Sequence, residues 1–296
     1  MKRLFVTGGT GFFGKSILSR IKDRDDYDLT ILSRDPAAFR AANPAFAALP
    51  FIHWVAGDVR DFDFAAVRGD FDAIIHAATP ATTTLADDEM TSIIVEGTER
   101  VLAFARDRAI QTILFTSSGA VYGPQTAPVS EDAPCAPTTA YGRGKLAAEK
   151  ILLASGLDVR IARCFAFTGP YLNRKIHYAI GNFIQNALDG QPIVVKGDGT
   201  PQRSYLYADD LVDGLFAILE RGVPGRAYNV GSPEAISIRD LAFAVRDALG
   251  ASCDVRILGT PTNQPPQVYV PVTTRIEREL GVRLTTPLAA AIQKSV

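Results

Sequence analysis

The amino-terminal segment constrains the fold more than any other part of the chain. A short apolar run, residues 4–6, leads into glycines at positions 8, 11 and 14, and a helical pattern follows over 15–21. The spacing G-x-x-G-x-x-G between a strand and a helix lets backbone amides approach a pyrophosphate at the amino end of the helix. A glycine-rich turn of this kind also occurs as a plain connection. Its place after the first strand favours a dinucleotide-binding unit.

Apolar runs and helical stretches alternate through the first half of the chain. The apolar runs lie at residues 29–32, 53–55, 73–75, 113–115 and 159–162, and the clearest helical stretches lie at 90–108 and 140–155. This alternation is typical of a parallel sheet with helices on both faces. We therefore expect an α/β fold in which residues 1–165 form a Rossmann-type, doubly wound NAD(P)-binding domain. Residues 166–296 should form a smaller α/β substrate-binding lobe, with segments near 204–213 and 227–230 returning to the first domain.

Composition excludes several functional classes. The 31 Lys and Arg residues oppose 32 Asp and Glu, so no basic excess is available for a nucleic-acid partner. The longest uncharged run, 109–130, is interrupted by Gly, Pro and hydroxyl residues, and we expect no membrane segment. The three cysteines are far apart and form no metal-binding or disulfide pattern. With no signal peptide recognised, we expect a cytoplasmic protein without a metal.

Tyr141 and Lys145 are the first candidates for catalysis. They stand four residues apart in a helical stretch and therefore share one face of the helix. An ammonium beside a phenol favours the phenolate, which lets the tyrosine act as an acid or base near neutral pH. By itself such a pair is also common on exposed helices. Upstream, residues 115–118 close a strand with hydroxyl groups, at the sheet edge where ligands bind in such folds.

Several segments together resemble the extended short-chain dehydrogenase/reductases, in the nucleotide-sugar epimerase/dehydratase group. They are TGGTGFFG (7–14), GDVRD (57–61), IIHAA (74–78), FTSSGAVYG (115–123), YGRGK (141–145), GDGTPQRSYLYADDL (197–211) and TTRIERELG (273–281). The resemblance implies that Ser118, Tyr141 and Lys145 form a catalytic triad. Tyr141 would exchange a proton with a sugar hydroxyl or ketone, Lys145 would hold the ribose and lower the pKa of the tyrosine, and Ser118 would bind the same substrate oxygen.

The resemblance also assigns the binding residues. Those expected to contact the cofactor are Gly8, Gly11, Phe12, Phe13, Gly14, Ser33, Arg34, Asp58, Val59, Ala77, Ala78, Tyr141 and Lys145. Asp58 would lie near the adenine. The substrate, a nucleotide-diphosphate sugar, would be bound by Ser118 and by Arg203, which matches the family arginine that grips the diphosphate. Asn182, in the segment 180–184, is a separate candidate for a nucleotide contact. We expect a homodimer.

Gly119 and Ala120 narrow the reaction. At these two positions after the catalytic hydroxyl, the family's 4,6-dehydratases carry Asp-Glu. The decarboxylases carry Glu at the second position, and the GDP-fucose synthases carry Cys there. Gly119 and Ala120 supply neither an acid nor a base. Two reactions that need only hydride transfer and Tyr141 remain: reduction of a 4-keto (6-deoxy) sugar nucleotide at C4, or C4 epimerisation.

The residues after the second strand bear on the choice of cofactor. NAD enzymes of the group carry an acidic residue there, whereas this chain has Ser33-Arg34-Asp35. Arg34 can pair with a 2′-phosphate, although it could also be a solvated arginine whose charge Asp35 offsets. The pattern favours NADP(H) over NAD(H). It thereby favours an NADPH-dependent reductase over an NAD-dependent C4 epimerase, since epimerases usually keep NAD bound. A non-catalytic NADP sensor is least favoured, because such proteins characteristically lose the Tyr or Lys.

Three positions depart from the family pattern or lie outside it. Ala166 replaces an Asn that usually touches the nucleotide phosphates, and Thr168 replaces a Tyr. The pyrophosphate contacts must therefore differ from those of the family. His177 lies where a substrate loop begins and is either a second acid or an ordinary surface or packing residue.

Overall fold

The computed structural model describes residues 1–24, 26–80, 85–174, 178–260, 265–283 and 285–296. The strands, in chain order, are β1 (Lys2–Thr7), β2 (Tyr27–Ser33), β3 (Ile52–Ala56), β4 (Ala73–His76), β5 (Thr112–Ser118), β6 (Asp158–Cys164), β7 (Phe167–Thr168), β8 (Ile193–Val195), β9 (Gln202–Arg203), β10 (Leu206–Tyr207), β11 (Ala227–Val230), β12 (Ile236–Ser237), β13 (Val255–Ile257) and β14 (Val268–Tyr269). The helices are α1 (Phe12–Ile21), α2 (Pro36–Ala42), α3 (Pro44–Ala47), α4 (Asp87–Asp107), α5 (Ala140–Leu153), α6 (Ala179–Leu188), α7 (Ala208–Arg221), α8 (Ile238–Ala248), α9 (Thr274–Leu280) and α10 (Leu288–Gln293). Short 3-10 helices occupy Phe64–Ala66 and Gly119–Tyr122.

The largest sheet has seven strands in the order β11-β6-β5-β4-β1-β2-β3. The pairs β1–β2, β1–β4, β2–β3 and β4–β5 are parallel. The chain leaves β1 toward β2 and β3, then returns to β4 on the other side of β1. This reversal creates a crevice at the carboxyl ends of β1 and β4, where such sheets bind ligands. The predicted Rossmann-type, doubly wound parallel sheet is confirmed, and so are the helical stretches, which appear as α4 and α5.

The chain divides into two compact units. The first comprises Met1–Gly123, Cys135–Arg163 and Leu215–Tyr228. The second comprises Pro124–Pro134, Cys164–Gly214 and Asn229–Val296. The functional division into a cofactor domain ending at residue 165 and a substrate lobe after it stays a prediction.

The core of the first unit explains how the sheet holds its helices. Phe5 of β1 is fully buried, and its ring lies 4.7 Å from that of Phe104 on α4 and 5.6 Å from that of Phe62. Helices α4 and α5 pack on each other at glycines, since a Cβ on Gly144 would lie 3.2 Å from the side chain of Ile94. Burial of such rings and aliphatic side chains stabilises the fold by about 2 kcal/mol each.

The second unit is built from short strands and helices, of which α6, α8 and α10 pack together. Its strand pairs and ladders are β7–β10, β12–β9–β14 and β8–β13. Helices α6, α8 and α10 surround a core of apolar side chains, which includes Ile180, Phe183, Ile184, Ile193, Val195, Leu241, Val245 and Ile292. This unit carries Asn182 on α6 and Arg203 on β9.

Candidate active site

The end of β5 presents the first candidate hydroxyl. Ser118 is the last residue of this buried strand and is 5% exposed. Its Oγ accepts the backbone N–H of Ala120 at 3.1 Å, so Ser118 caps the 3-10 turn Gly119–Tyr122. A capping bond of this kind fixes the direction of the side chain. Ser118 is therefore held at the carboxyl edge of the sheet, as its position in the sequence predicts.

Helix α5 begins against the same turn. Thr139 caps the helix, with its Oγ1 accepting the N–H of Gly142 at 3.1 Å. A Cβ on Gly142 would lie 2.7 Å from the carbonyl oxygen of Ala120, closer than any real Cβ contact. Glycine at this position thus allows the first turn of α5 to touch the turn that follows Ser118. Tyr141, the neighbour of Gly142, is brought close to the Ser118 segment.

Lys145 is buried beside Tyr141. Its side chain is 2% exposed, and its Nζ lies 5.9 Å from the centroid of the Tyr141 ring. The ammonium donates to the backbone oxygen of Thr116 and to the Oγ1 of Thr79, each at 2.7 Å. It also lies 4.7 Å from the Phe115 ring centroid. Sequence reasoning missed Thr79 as a partner of Lys145. Its place directly after the predicted cofactor residues Ala77 and Ala78 is the signal that could have found it.

The turn after β1 fits a dinucleotide. Gly8 has φ +77°, and a Cβ there would lie 2.5 Å from the backbone of Ala77. A Cβ on Gly14 would lie 2.1 Å from the backbone of Gly9. Gly11 caps α1 without any side chain that accepts a helix N–H, which suits a bound phosphate. The glycines thus let the turn after β1 pack directly against the backbone that follows β4, and α1 pack directly against the turn.

Asp58 and Val59 follow β3. The Asp58 carboxylate accepts the backbone N–H of Arg60 at 3.0 Å and its Nε at 2.9 Å. Burial opposes the charged form, but these hydrogen bonds and the Arg60 charge outweigh it and hold the pKa of Asp58 below its ordinary value. Val59 is buried against Gly97 of α4. Asp58 is therefore a carboxylate at neutral pH and can accept a hydrogen bond from a ligand.

The end of β2 is differently arranged. Ser33 is buried, whereas Arg34 is exposed. Asp35 caps α2, with its Oδ1 accepting the N–H of Ala38 at 2.8 Å. The positive charge of Arg34 is near enough to Asp58 to contribute to the lowered pKa of that carboxyl. Arg34 and Asp58 therefore lie near enough to each other for their charges to interact.

His76 forms a hydrogen-bonded chain below the crevice. Thr98 donates its hydroxyl to the Ile94 carbonyl oxygen at 2.6 Å, so at 3.0 Å it accepts from His76 Nε2–H. Nδ1 is then the acceptor for the Thr7 hydroxyl at 2.7 Å. Burial, and second the charge of Lys145, lower the pKa of His76 to about 3. The imidazole is neutral, and its contacts join β1, β4 and α4.

The predicted substrate residues outside the triad lie in the second unit. Arg203 Nη1 donates to the Gln202 carbonyl oxygen at 2.8 Å, and its guanidinium lies 5.8 Å from the Tyr269 ring centroid. Asn182 is half-buried on α6. Thr168, one of the family departures, shares a hydrogen bond of 2.8 Å with Ser295. His177, the candidate second acid, lies outside the described residues.

Two further observations bear on ligands. Among the described residues, no cluster of three or more His, Cys, Asp or Glu side chains could hold a metal ion. In the same part of the chain, no helix has the length and apolar character needed to cross a bilayer.

Known proteins resemble this chain over almost its whole length. The model of the NAD dependent epimerase/dehydratase family matches residues 4–231. A UDP-glucuronic acid decarboxylase 1 from Xenopus tropicalis is 27% identical over 322 residues, covering 100% of this chain and 71% of the relative. The crystal structure of a dTDP-glucose 4,6-dehydratase from Streptomyces venezuelae, which holds NAD, has a TM-score of 0.85 at 29% identity and covers 99% and 95% of the two chains. That of a UDP-glucuronic acid 4-epimerase from Bacillus cereus, with UDP-glucuronic acid and NAD, has a TM-score of 0.87 at 22% identity and covers 99% and 97%.

Proposed function

Because the chain belongs to the NAD-dependent epimerase/dehydratase family, we propose that it is a nucleotide-sugar C4 epimerase that works with bound NAD. One observation carries this proposal. Lys145 is buried beside Tyr141, yet the two positions directly after Ser118 are Gly119 and Ala120. Tyr141 is thus placed to move one proton, and Gly119 and Ala120 offer no acid or base for a second proton transfer at a neighbouring carbon.

Tyr141 is the residue that we assign to proton exchange. Its phenolate takes the proton of the C4 hydroxyl while the C4–H bond gives up hydride, which leaves a 4-keto sugar. In the second half of the reaction hydride returns to the opposite face of C4, and the phenol returns the proton to the oxygen. Lys145 favours the phenolate, and the Ser118 hydroxyl binds the substrate oxygen. A bound nicotinamide supplies the reversible hydride acceptor.

The two units have separate roles in this proposal. Gly8, Gly11, Gly14 and Asp58 of the first unit hold the dinucleotide. Arg203 and Asn182 of the second unit bind the sugar nucleotide, with the planar guanidinium on the diphosphate. Anchoring the diphosphate orients the sugar and supplies an entropic advantage that a free sugar lacks. A homodimer in the cytoplasm stays a prediction.

Water elimination and decarboxylation are less well supported, although curated relatives carry those names. Both groups of enzymes have a carboxylate in the turn where this chain has Gly119 and Ala120. Alanine offers no proton donor or acceptor. We therefore propose a reaction confined to C4.

A second candidate is NADPH-dependent reduction of a 4-keto sugar nucleotide. Arg34 favours this candidate, because it is exposed at the end of β2 and can pair with a 2′-phosphate. A carboxylate at the same place would repel that phosphate. The NAD complexes of the Bacillus cereus epimerase and the Streptomyces venezuelae dehydratase favour NAD instead. The two candidates share the triad and differ in whether the cofactor is consumed.

The test is an assay of the purified protein in deuterated water with UDP-glucuronic acid, UDP-glucose and dTDP-glucose, followed by NMR. The epimerase predicts a C4 epimer, no net change in cofactor and no solvent deuterium on carbon. With a 4-keto sugar nucleotide, stoichiometric oxidation of NADPH and a single hydride label at C4 would favour the reductase instead. Enzyme-dependent deuterium at C3 or C5, or release of water or carbon dioxide, would contradict both.

A further inference from the structure

A buried ion pair lies below the triad. Glu149 of α5 and Arg163 of β6 form two hydrogen bonds, Nη2 to Oε2 at 2.8 Å and Nε to Oε1 at 3.1 Å. Their side chains are 2% and 10% exposed. A pair with this fork geometry is rigid as well as charged. It is part of the first unit.

The pair is bonded to both flanks of the catalytic serine. The hydroxyl of Ser117 donates to Glu149 Oε1 at 2.5 Å. Arg163 Nη1 donates to the Tyr122 hydroxyl at 3.1 Å, and the guanidinium lies 5.0 Å from the centroid of that ring. Ser117 directly precedes Ser118, and Tyr122 ends the turn that Ser118 caps. One ion pair therefore holds the Ser118 segment at its beginning and at its end.

Helix α5 connects the same pair to the other two members of the triad. Glu149 follows Lys145 by four residues and Tyr141 by eight, so the three side chains share a face of the helix. Glu149 thus fixes the rotation and height of α5 against β5. The distance between the serine segment and the tyrosine helix is set at this point.

We propose that Glu149 and Arg163 are positioning residues, which hold Ser118 in register with Tyr141 and Lys145. The proposal rests on the proposed function for the identity of the triad. Stability alone gives a weak reason for such a pair, because well-packed apolar side chains can replace a buried ion pair with little loss. The placement of the triad gives a stronger reason for the ion pair, since a misplacement of roughly 1 Å in an active site can lower the rate about 100-fold.

Removing single hydroxyls tests the proposal with little risk to folding. Ser117→Ala and Tyr122→Phe each release one flank of the serine segment, and we expect kcat to fall about tenfold with KM and the NAD dissociation constant within twofold. Tyr27→Phe is the matched control, because Tyr27 is buried and donates its hydroxyl to Glu220 at 2.5 Å at the start of β2. It should lower Tm to a similar extent and leave kcat unchanged. If kcat falls no further in Ser117→Ala and Tyr122→Phe than in the control, the proposal is wrong.

The pair itself is tested by a double apolar replacement, Glu149→Leu with Arg163→Met. We expect a folded protein that binds NAD normally, with kcat lowered about 100-fold. The single variant Arg163→Lys keeps the positive charge, but an ammonium cannot form both hydrogen bonds to Glu149. We therefore expect the rate of this variant to be lowered as well. In crystals of the double variant, Gly119–Tyr122 should move relative to α5 by roughly 1 Å. An unmoved turn with normal kcat would overturn the proposal. A wild-type protein inactive on every nucleotide sugar would instead count against the proposed function, and the crystal comparison would still decide the role of the pair.

Discussion

The carboxyl ends of β5 and β2 lie in the same sheet, yet they are built in opposite ways. At the end of β5, Ser118 and the neighbouring Lys145 are buried and held by hydrogen bonds within the protein. At the end of β2, Ser33 is buried but Arg34 is exposed. Ser118 and Lys145 are therefore placed by packing, whereas Arg34, which we propose bears on cofactor preference, is a single exposed side chain. Chemistry and cofactor choice should therefore respond to mutation independently.

Tyr141→Phe should have the largest effect. Tyr141 lies on α5 beside Lys145, so the change acts on the group of side chains around the end of β5 and not on the end of β2. The change removes the proton donor but keeps the ring beside Lys145. We expect turnover to fall by about two to four orders of magnitude, with cofactor binding nearly intact. Steady-state kinetics and a fluorescence titration with NADH check the two parts. Normal turnover in this variant would mean that Tyr141 is not the acid or base. The side chains around the end of β5 would then not be the catalytic groups.

The second effect concerns the β2 region. Arg34→Ala should weaken NADPH binding by about 2 kcal/mol, roughly 30-fold, if Arg34 makes the charge-assisted contact to the 2′-phosphate that its position predicts. NADH binding and kcat with NAD should not change. Arg40→Ala is the control, since Arg40 is exposed on α2. Calorimetric titration of both cofactors measures the difference. Equal loss of NADPH and NADH affinity would show that Arg34 does not read the phosphate.

The third effect tests whether water is excluded from His76, which lies below the crevice. His76 is buried with its pKa lowered to about 3, by burial first and by Lys145 second, from a value of 6.5. Between these values the unfolded chain binds a proton that the folded chain does not. The contribution of neutral His76 to the free energy of unfolding is therefore fully present above about pH 6.5. It decreases as the pH falls, and at pH 5 the free energy of unfolding is lower by about 2 kcal/mol.

Urea denaturation at pH 7 and pH 5 measures this loss. His76→Gln should remove most of the pH dependence. His53→Gln is the control for loss of a surface histidine, because the His53 side chain is 57% exposed. A wild-type protein as stable at pH 5 as at pH 7 would show that the imidazole is accessible to water or protonated in the fold.

Much of the fold and the shared helix face of Tyr141 and Lys145 followed from local pattern, whereas the triad with Ser118 is implied by the family resemblance and stays a prediction. The alternation of strands and helices gave the sheet, and the four-residue spacing of Tyr141 and Lys145 placed both on one face of α5. The partners of these groups did not follow. Thr79 meets Lys145 across 66 residues of sequence, and Glu149 meets Arg163 across two elements. Such contacts depend on how strands and helices pack, and no residue spacing encodes them.

The smallest effect returns to the β5 region through one of those partners. Thr79→Val removes the hydroxyl that accepts from Lys145 at 2.7 Å while keeping the volume of the side chain. The ammonium keeps its bond to the Thr116 carbonyl oxygen, so we expect a loss of about 1 kcal/mol, roughly fivefold in kcat/KM. Thr79→Ser should restore the rate, because it retains the hydroxyl. If the valine variant matched the wild type and the serine variant did not, size rather than hydrogen bonding would govern this position, and Lys145 would depend on the sheet alone for its placement.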